Sequence, residues 1–415
     1  MNELEQLLKT EKSGRMIWLK GDYKLNLSQG QSFTIGKMCM KGLLNIREAD
    51  LVIDGSDAVL EAEVEDSTGS DWALIFVHPS ARNVTLRNLY MRVSVKNPSH
   101  SQRMLSAIYN TAFGLKMENC RIEMQSDKQI MLAGIYNNGN LDTHLETRAD
   151  NLVIDNSFIK ISCLAEEFPK ENAVYGIYNN LANSISVQNT YVYAVTRGDG
   201  ERQKAAGVYT NGRFGRYVGN NIKANGTHNI GKQKEQAHTY GFINEGLYTL
   251  ITSNNIVGEW AGMCVGLENR GEYTVVSSNK ILSTHTICGR SIRNYGNNSS
   301  IEGNILTSTS RNARLLEQEA KNCIITGNIM EVLMAREECQ SGCGIYAGSE
   351  EATGNLISGN VIRNVSDCGI YAVAGAGILK DNIVNSYEGT IEYGSPRNLA
   401  LAERLDEGRI CSIYI

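Results

Sequence analysis

Three charged residues stand at near-equal spacing where the surrounding pattern is aromatic or apolar. Glu268, Arg293 and Glu317 are separated by 25 and 24 residues. Two carboxylates with a guanidinium between them can pass a proton to and from a glycosidic oxygen. On successive rungs of parallel strands, about 4.8 Å apart, the two glutamates would lie roughly 9–10 Å from each other at the backbone. Their carboxyls then fall within the roughly 5–10 Å span of carboxylate pairs that cleave glycosidic bonds. Arg293 would hold at least one of them charged and offer donors to a sugar hydroxyl. The competing reading is a surface ion-pair ladder worth about 0–1 kcal/mol.

The elements that would position these residues come from a repeat. Segments 241–246, 266–271 and 291–296 superimpose without gaps at a period of 25, and 315–320 follows after 24. Each is trailed by an asparagine: Asn254, Asn279, Asn304 and Asn328. A period this short marks stacked supersecondary units rather than domains. The punctuating Asn can be followed from Asn88 to Asn382, and a corner Asn both tolerates the left-handed backbone and can bond to its counterpart in the next rung. Longer intervals early in the chain imply loops inserted at 94–104, 140–150, 163–173, 195–206 and 224–240, which tend to wall one side of a solenoid.

Aligned by this repeat, three columns emerge. One runs from Ile108 through Phe242, Leu267, Ile292 and Leu316 to Ile370 and is apolar throughout, so it faces a core. Its neighbour must face outward: Tyr109, Tyr136, Tyr178, Tyr209, Ile243, Glu268, Arg293, Glu317, Tyr346, Tyr371. Tyrosine suits β-structure and stacks on itself, but a row of outward rings is also a platform for sugar CH faces, with Tyr209 and Tyr346 nearest the charged break. The third column holds Asn244, Asn269 and Asn294 and is expected to turn inward at the corner. These amides, with Glu245, Trp260 and His285, complete the candidate substrate-binding set.

Strands at this period without helical patterns predict an all-β fold, a parallel β-helix. Its span is 15–388, preceded by an amphipathic capping helix over 1–14 and followed by a cap or tail over 389–415. Forty glycines and four prolines suit short strands and tight turns. A net charge of -5 without a basic stripe argues against a nucleic-acid partner. No apolar run reaches the roughly 18 residues of a membrane span. The ten cysteines lack compact disulfide spacing, and Cys339 and Cys343 have no zinc-finger partner. Buried thiols of a cytoplasmic protein, with no metal or cofactor, are expected.

One stretch carries a family resemblance. Trp260-Ala-Gly262, then Leu267-Glu-Asn-Arg-Gly271, then the corner Ser278-Asn279, resembles the central coil of the inulin fructotransferase and difructose dianhydride hydrolase family. The similarity covers about 260–328. It implies a right-handed β-helix, a homotrimer, no metal, and Glu268 as the acid/base glutamate acting on fructosyl linkages. The expected partner is an oligo- or disaccharide, most specifically difructose dianhydride or inulin. A non-catalytic glycan-binding protein and a polysaccharide lyase or depolymerase stay open as alternatives. Motifs of other β-helix enzymes, an Asp-Asp pair with Gly-His-Gly or Asp-Pro-His-Asp, do not occur.

Overall fold

The computed structural model describes residues 4, 14–26, 30–35, 38–56, 58–65, 71–96, 104–127, 131–139, 149–164, 172–196, 203–226, 238–335, 338–373, 377–386, 389–390 and 409–411. The chain divides into two compact units, 1–229 and 230–415. In each, every coil gives one strand to each of three sheets, and like strands stack in parallel. A representative coil of the second unit runs Met263–Asn269, Val275–Ser277, Lys280–Thr284, and the next begins at Cys288–Asn294. The first unit repeats this plan, with Leu132–Asn138 on Asn172–Asn180 and Met16–Trp18 on Val52–Asp54. This pairing is that of a parallel β-helix.

The spacing in the sequence becomes register in the structure. Leu267, Ile292 and Leu316 are Cα partners on successive strands, as are Glu268, Arg293 and Glu317. The apolar column is wholly buried, with Leu267, Ile292 and Leu316 each at 0 % exposure. Strict alternation fails at one point in each of these three strands. A Cβ on Gly266 would meet Ile281 Cγ2 at 2.3 Å, and Ser291 Oγ donates to the Thr307 carbonyl at 2.7 Å. Both residues precede an inward aliphatic, so two consecutive positions face the interior. Leu315 and Leu316, each at 0 % exposure, occupy the equivalent pair. The outward positions are therefore three residues apart, not two.

Two amide ladders bind the coils at their corners. Asn254 Nδ2 donates to Asn279 Oδ1 at 3.0 Å, and the chain continues through Asn304, Asn328 and Asn360 to Asn382. The second ladder passes from Asn244 to Asn269 at 2.7 Å, to Asn294 at 2.7 Å and to Gln318 at 3.0 Å. A buried amide so satisfied avoids the 1–3 kcal/mol or so that an unpaired one costs. The turn also needs glycine: a Cβ on Gly271 would stand 1.9 Å from the Gly246 carbonyl oxygen, and one on Gly296 2.1 Å from that of Gly271.

The left-handed corner differs from expectation. Asn88, Asn119, Asn156 and Asn189 have positive φ, but in the second unit that conformation belongs to the residue before the Asn: Ser253, Ser278, Gly303 and Gly327. The turn and the ladder are separate tasks on adjacent residues. In the first unit Ser157 and Thr190 take the ladder place, receiving backbone N–H donors from Cys120 and Ser157.

The expected helix over 1–14 lies outside the described residues except for Leu4, which is 1 % exposed, and Gly14. The inserted loops also fall largely outside them. Of 389–415, Gly389–Thr390 and Arg409–Cys411 are described, and the latter pairs antiparallel with Cys368–Val373. An antiparallel hairpin, Gln31–Ile35 with Met38–Ile46, opens the stack in the first unit.

Candidate active site

The strand Met263–Asn269 and its partners Cys288–Asn294 and Asn312–Gln318 carry the charged break. Because two inward residues separate the outward ones, each strand presents a pair three apart. Arg290 and Arg293 stand on one strand, Arg314 and Glu317 on the next, and Val265 and Glu268 on the one before. Arg270 lies two residues beyond Glu268.

Glu317 is the centre of an arginine cage. Arg290 Nε donates to Glu317 Oε2 at 2.6 Å, Arg314 Nη1 to Oε1 at 2.9 Å, and Arg293 Nε lies 3.4 Å from Oε2. Burial pushes this carboxyl up, but the charges of Arg290, Arg293 and Arg314 outweigh it and hold the group below its ordinary value. It is therefore an anion at neutral pH. Arg314 in turn lies over the Tyr346 ring, its guanidinium carbon 3.7 Å from the centroid.

Glu268 is more enclosed, at 1 % exposure. Arg270 Nη2 donates to Glu268 Oε1 at 2.7 Å, and Arg293 Nη1 approaches Oε2 at 3.6 Å. Among the described residues Glu268 Oε2 and Arg293 Nε have no hydrogen-bond partner. One guanidinium, that of Arg293, contacts both carboxylates. Arg270 is half exposed, and its Nη1 also lies 3.2 Å from Glu245 Oε1. Glu245 thus joins the cluster through Arg270. Tyr240, 8 % exposed, packs by this group, and burial together with the charge of Glu268 raises its phenol.

Other candidates are not brought here. Asn244, Asn269 and Asn294 are each 0 % exposed, and their amides are taken up by the ladder, so they are corrected from substrate contacts to corner residues. Trp260 and His285 stack on each other, rings 4.1 Å apart at 6°, before the strands Met263–Asn269 and Cys288–Asn294. Glu268 lies near the other end of its strand, five residues on, which is about 16 Å of extended chain. Their stack is a separate feature of the corner.

The tyrosine platform is also revised. Tyr109 is 1 % exposed, and Tyr109, Tyr136 and Tyr178 meet edge to face at 4.7 and 5.0 Å. Asn138 donates to the Tyr109 hydroxyl at 2.6 Å and Asn180 to that of Tyr136 at 3.4 Å. Tyr209 stacks on Tyr178 at 4.6 Å with Lys204 over its ring. Tyr109, with Tyr136 packed against it, forms a second apolar layer outside the sheet with Met40, Ala73 and Phe76. This packing closes off Tyr109, and Tyr136, Tyr178 and Tyr209 are partly covered by one another.

The sequence reading missed Arg270, Arg290 and Arg314. Simple alternation is the cause for the last two: counting by twos back from Ile292 places Arg290 inside, and only the doubled inward residue returns it to the surface. The signal was present as the runs Ser291-Ile292 and Leu315-Leu316, each preceded by arginine.

No protein-family model matches the chain, and no curated protein matches it. Solved structures similar to it include the A-module of the Azotobacter vinelandii mannuronan C-5 epimerase AlgE6, at 11% identity and TM-score 0.42, covering 84% of this chain and 91% of that one. A tailspike protein mutant of E. coli bacteriophage HK620, in complex with a pentasaccharide, is similar at 11% identity and TM-score 0.41, covering 92% and 62%. DFA-IIIase from Arthrobacter chlorophenolicus A6, in complex with DFA-III, is similar at 11% identity and TM-score 0.36, covering 88% and 76%.

Proposed function

We propose that the protein is a carbohydrate-active enzyme that cleaves or remakes a glycosidic bond over the Glu268–Arg293–Glu317 face. The observation that carries this reading is a pair of carboxylates on alternate rungs joined by one guanidinium. Glu268 handles the reaction's proton, and Glu317, fixed as an anion, faces positive charge developing at the anomeric carbon. Arg293 orients both carboxylates. Arg270, the half-exposed side chain on Glu268 Oε1, must swing aside for a sugar to reach this enclosed carboxyl. The finer reading, supported by the local resemblance around 260–328, is a fructosyl linkage of difructose dianhydride or inulin, in a trimer.

The test is a chromatographic product assay with inulin and with difructose dianhydride, wild type beside Glu268→Gln. Inulobiose from the dianhydride, reduced about 10²–10⁴-fold in the variant, is the expected result for loss of a general acid–base group. Unchanged substrates with wild type would remove the fructan reading. A second reading is a non-catalytic glycan-binding protein, favoured by the 1 % exposure of Glu268. On that reading Glu268→Gln leaves glycan affinity intact and alters stability alone.

A further inference from the structure

On the two coils that follow the arginine strands, the outward pair of places changes chemistry again. Arg290 and Arg314 are succeeded in register by Cys343 and Cys368, and Glu317 by Tyr346 and Tyr371. The three-residue spacing of the outward places is kept, so thiols stand beside phenols on the strands Ser341–Ala347 and Cys368–Val373.

The two thiols face each other. Cys343 and Cys368 are Cα partners on neighbouring strands, and their Sγ atoms are 2.9 Å apart. That is closer than the 3.4 Å from the Cys343 thiol to the Ile345 carbonyl, to which it also donates. Both cysteines are free, at 3 % and 4 % exposure. Neighbouring strands lie about 4.8 Å apart, and a disulfide spans Cα separations of about 4.4–6.8 Å with its sulfurs about 2.05 Å apart. Closing the bond thus asks the sulfurs to approach by less than about 1 Å, with the strand pairing kept. Other thiols of the chain are placed differently. Cys339 meets the Ser366 hydroxyl at 3.3 Å, Cys120 the Leu86 and Glu118 carbonyls, and Cys323 the Gly296 and Lys321 carbonyls.

The pair also adjoins the cage around Glu317. Arg314 is the Cα partner of Cys343, and its guanidinium holds Glu317 at 2.9 Å while lying over the Tyr346 ring. Tyr346 in turn stacks on Tyr371 at 4.9 Å. A bond between the sulfurs ties together the two coils that carry these rings.

We propose that Cys343 and Cys368 are a redox-active pair, which a peroxide closes into a disulfide that staples these two coils. This stands independently of the glycosidic reading. One cysteine sulfur attacks a peroxide oxygen, the O–O bond breaks, and the sulfur becomes a sulfenic acid while the leaving hydroxide takes the thiol proton as water. The second thiol attacks that sulfur, the S–O bond breaks, and a second water departs. Two thiols together lose two electrons, and one peroxide is reduced to two waters. A small oxidant suits thiols this enclosed, and a thiol reductant reverses the bond by exchange. The two cysteines are 25 residues apart in the chain, so the link restricts the unfolded state and the oxidised protein is the more stable form.

The experiment treats the reduced, intact protein with hydrogen peroxide, alkylates the remaining thiols, and maps proteolytic fragments by mass spectrometry without reductant. The expected product is the Cys343 fragment joined to the Cys368 fragment, lighter by two hydrogens than the two apart and separated by dithiothreitol. The urea midpoint of the oxidised protein should lie above that of the reduced one. Cys343→Ser should lose both the link and the shift, and the wild-type map decides alone where that variant does not fold. Both thiols still open to alkylation after peroxide would overturn the proposal. So would oxidation of either to a sulfinic acid without a link, or a linked protein whose midpoint is not raised.

Discussion

The outward face of the long-strand sheet is solved twice in this chain, with opposite chemistry. In the first unit, Tyr109, Tyr136, Tyr178 and Tyr209 pack ring against ring, and the Tyr109 and Tyr136 hydroxyls receive amide donors. In the second, the same column holds Glu268, Arg293 and Glu317, flanked by Arg270, Arg290 and Arg314. The backbone register is alike, so the backbone does not explain the difference. An aromatic layer stabilises by burying area. An ion-pair array on the same scaffold must first recover the desolvation of its charges, and buried pairs seldom exceed what apolar residues supply there. The charged face is the costlier solution, and it is the face on which the proposed chemistry is placed.

Breaking the array should have the largest effect. Arg290→Leu leaves Glu317, 7 % exposed, with weaker partners, and a loss of about 3 kcal/mol is expected, at the lower end for a broken buried pair. Urea denaturation measures it. Converting these two neighbouring coils towards the first unit's chemistry, with Arg290→Leu, Arg314→Leu and Glu317→Tyr together, should recover that loss, since both signs of charge leave at once. A triple variant less stable than Arg290→Leu would mean the ion pairs are the better structural solution.

Acid sharpens the comparison further. The folded state holds Glu317 below its ordinary value of 4.5, so its contribution is present above that value and declines as pH falls through it. Glu319, two residues on, is raised by burial and then by the charge of Glu317, so the folded state keeps that proton longer, and its contribution is present at low pH and lost as pH rises above 4.5. Denaturation midpoints from about pH 3 to 7 should therefore show Glu317→Gln flattening the acid loss and Glu319→Gln raising stability towards neutrality.

Smaller effects probe what the two regions share. Asn269→Ala removes both an acceptor and a donor from the corner ladder and should cost about 2 kcal/mol in thermal or urea denaturation. Tyr109→Phe leaves the Asn138 amide without its 2.6 Å acceptor, for about 1 kcal/mol by the same measurement. Least of all, Tyr273→Asn should change stability by about 0.5 kcal/mol or less, with a gain the expected sign. Tyr273 is exposed with φ 55°, and Asn298 and Asn322 hold the left-handed turn in the coils that follow.

How much of this was legible depends on what the periodicity encodes. The period fixed which residues share a column, so the place of Arg293 between the two glutamates could be read from spacing alone. Register between coils is a count, and counts survive in the sequence. Direction within a strand is not a count. The doubled inward positions, Gly266-Leu267 and Ser291-Ile292, shift the phase of alternation, and Arg290 and Arg314 were hidden by that shift. The outward tyrosines were placed on the correct side of the sheet, yet Tyr109 is closed off because a second layer forms outside it. Nothing local in the tyrosine column announces that layer, since it depends on Met40 and Phe76 from earlier coils. The corner asparagines illustrate the middle case. Their recurrence was plain, but recurrence cannot separate the residue that turns the chain from the one that bonds the coils, and in the second unit these are neighbours.

The asparagine ladders also bear on how such a chain can change length. Each Asn needs only a counterpart in the coil above and below, at a place set by the period. Duplicating or deleting the whole 25-residue coil between Asn254 and Asn279 would rejoin both ladders with like ends. Gaining a single residue within a strand would invert every side chain after it, sending charge into the lumen. Lineages built on this architecture are thus expected to grow and shrink in quanta of a coil, with irregular insertions confined to the turns.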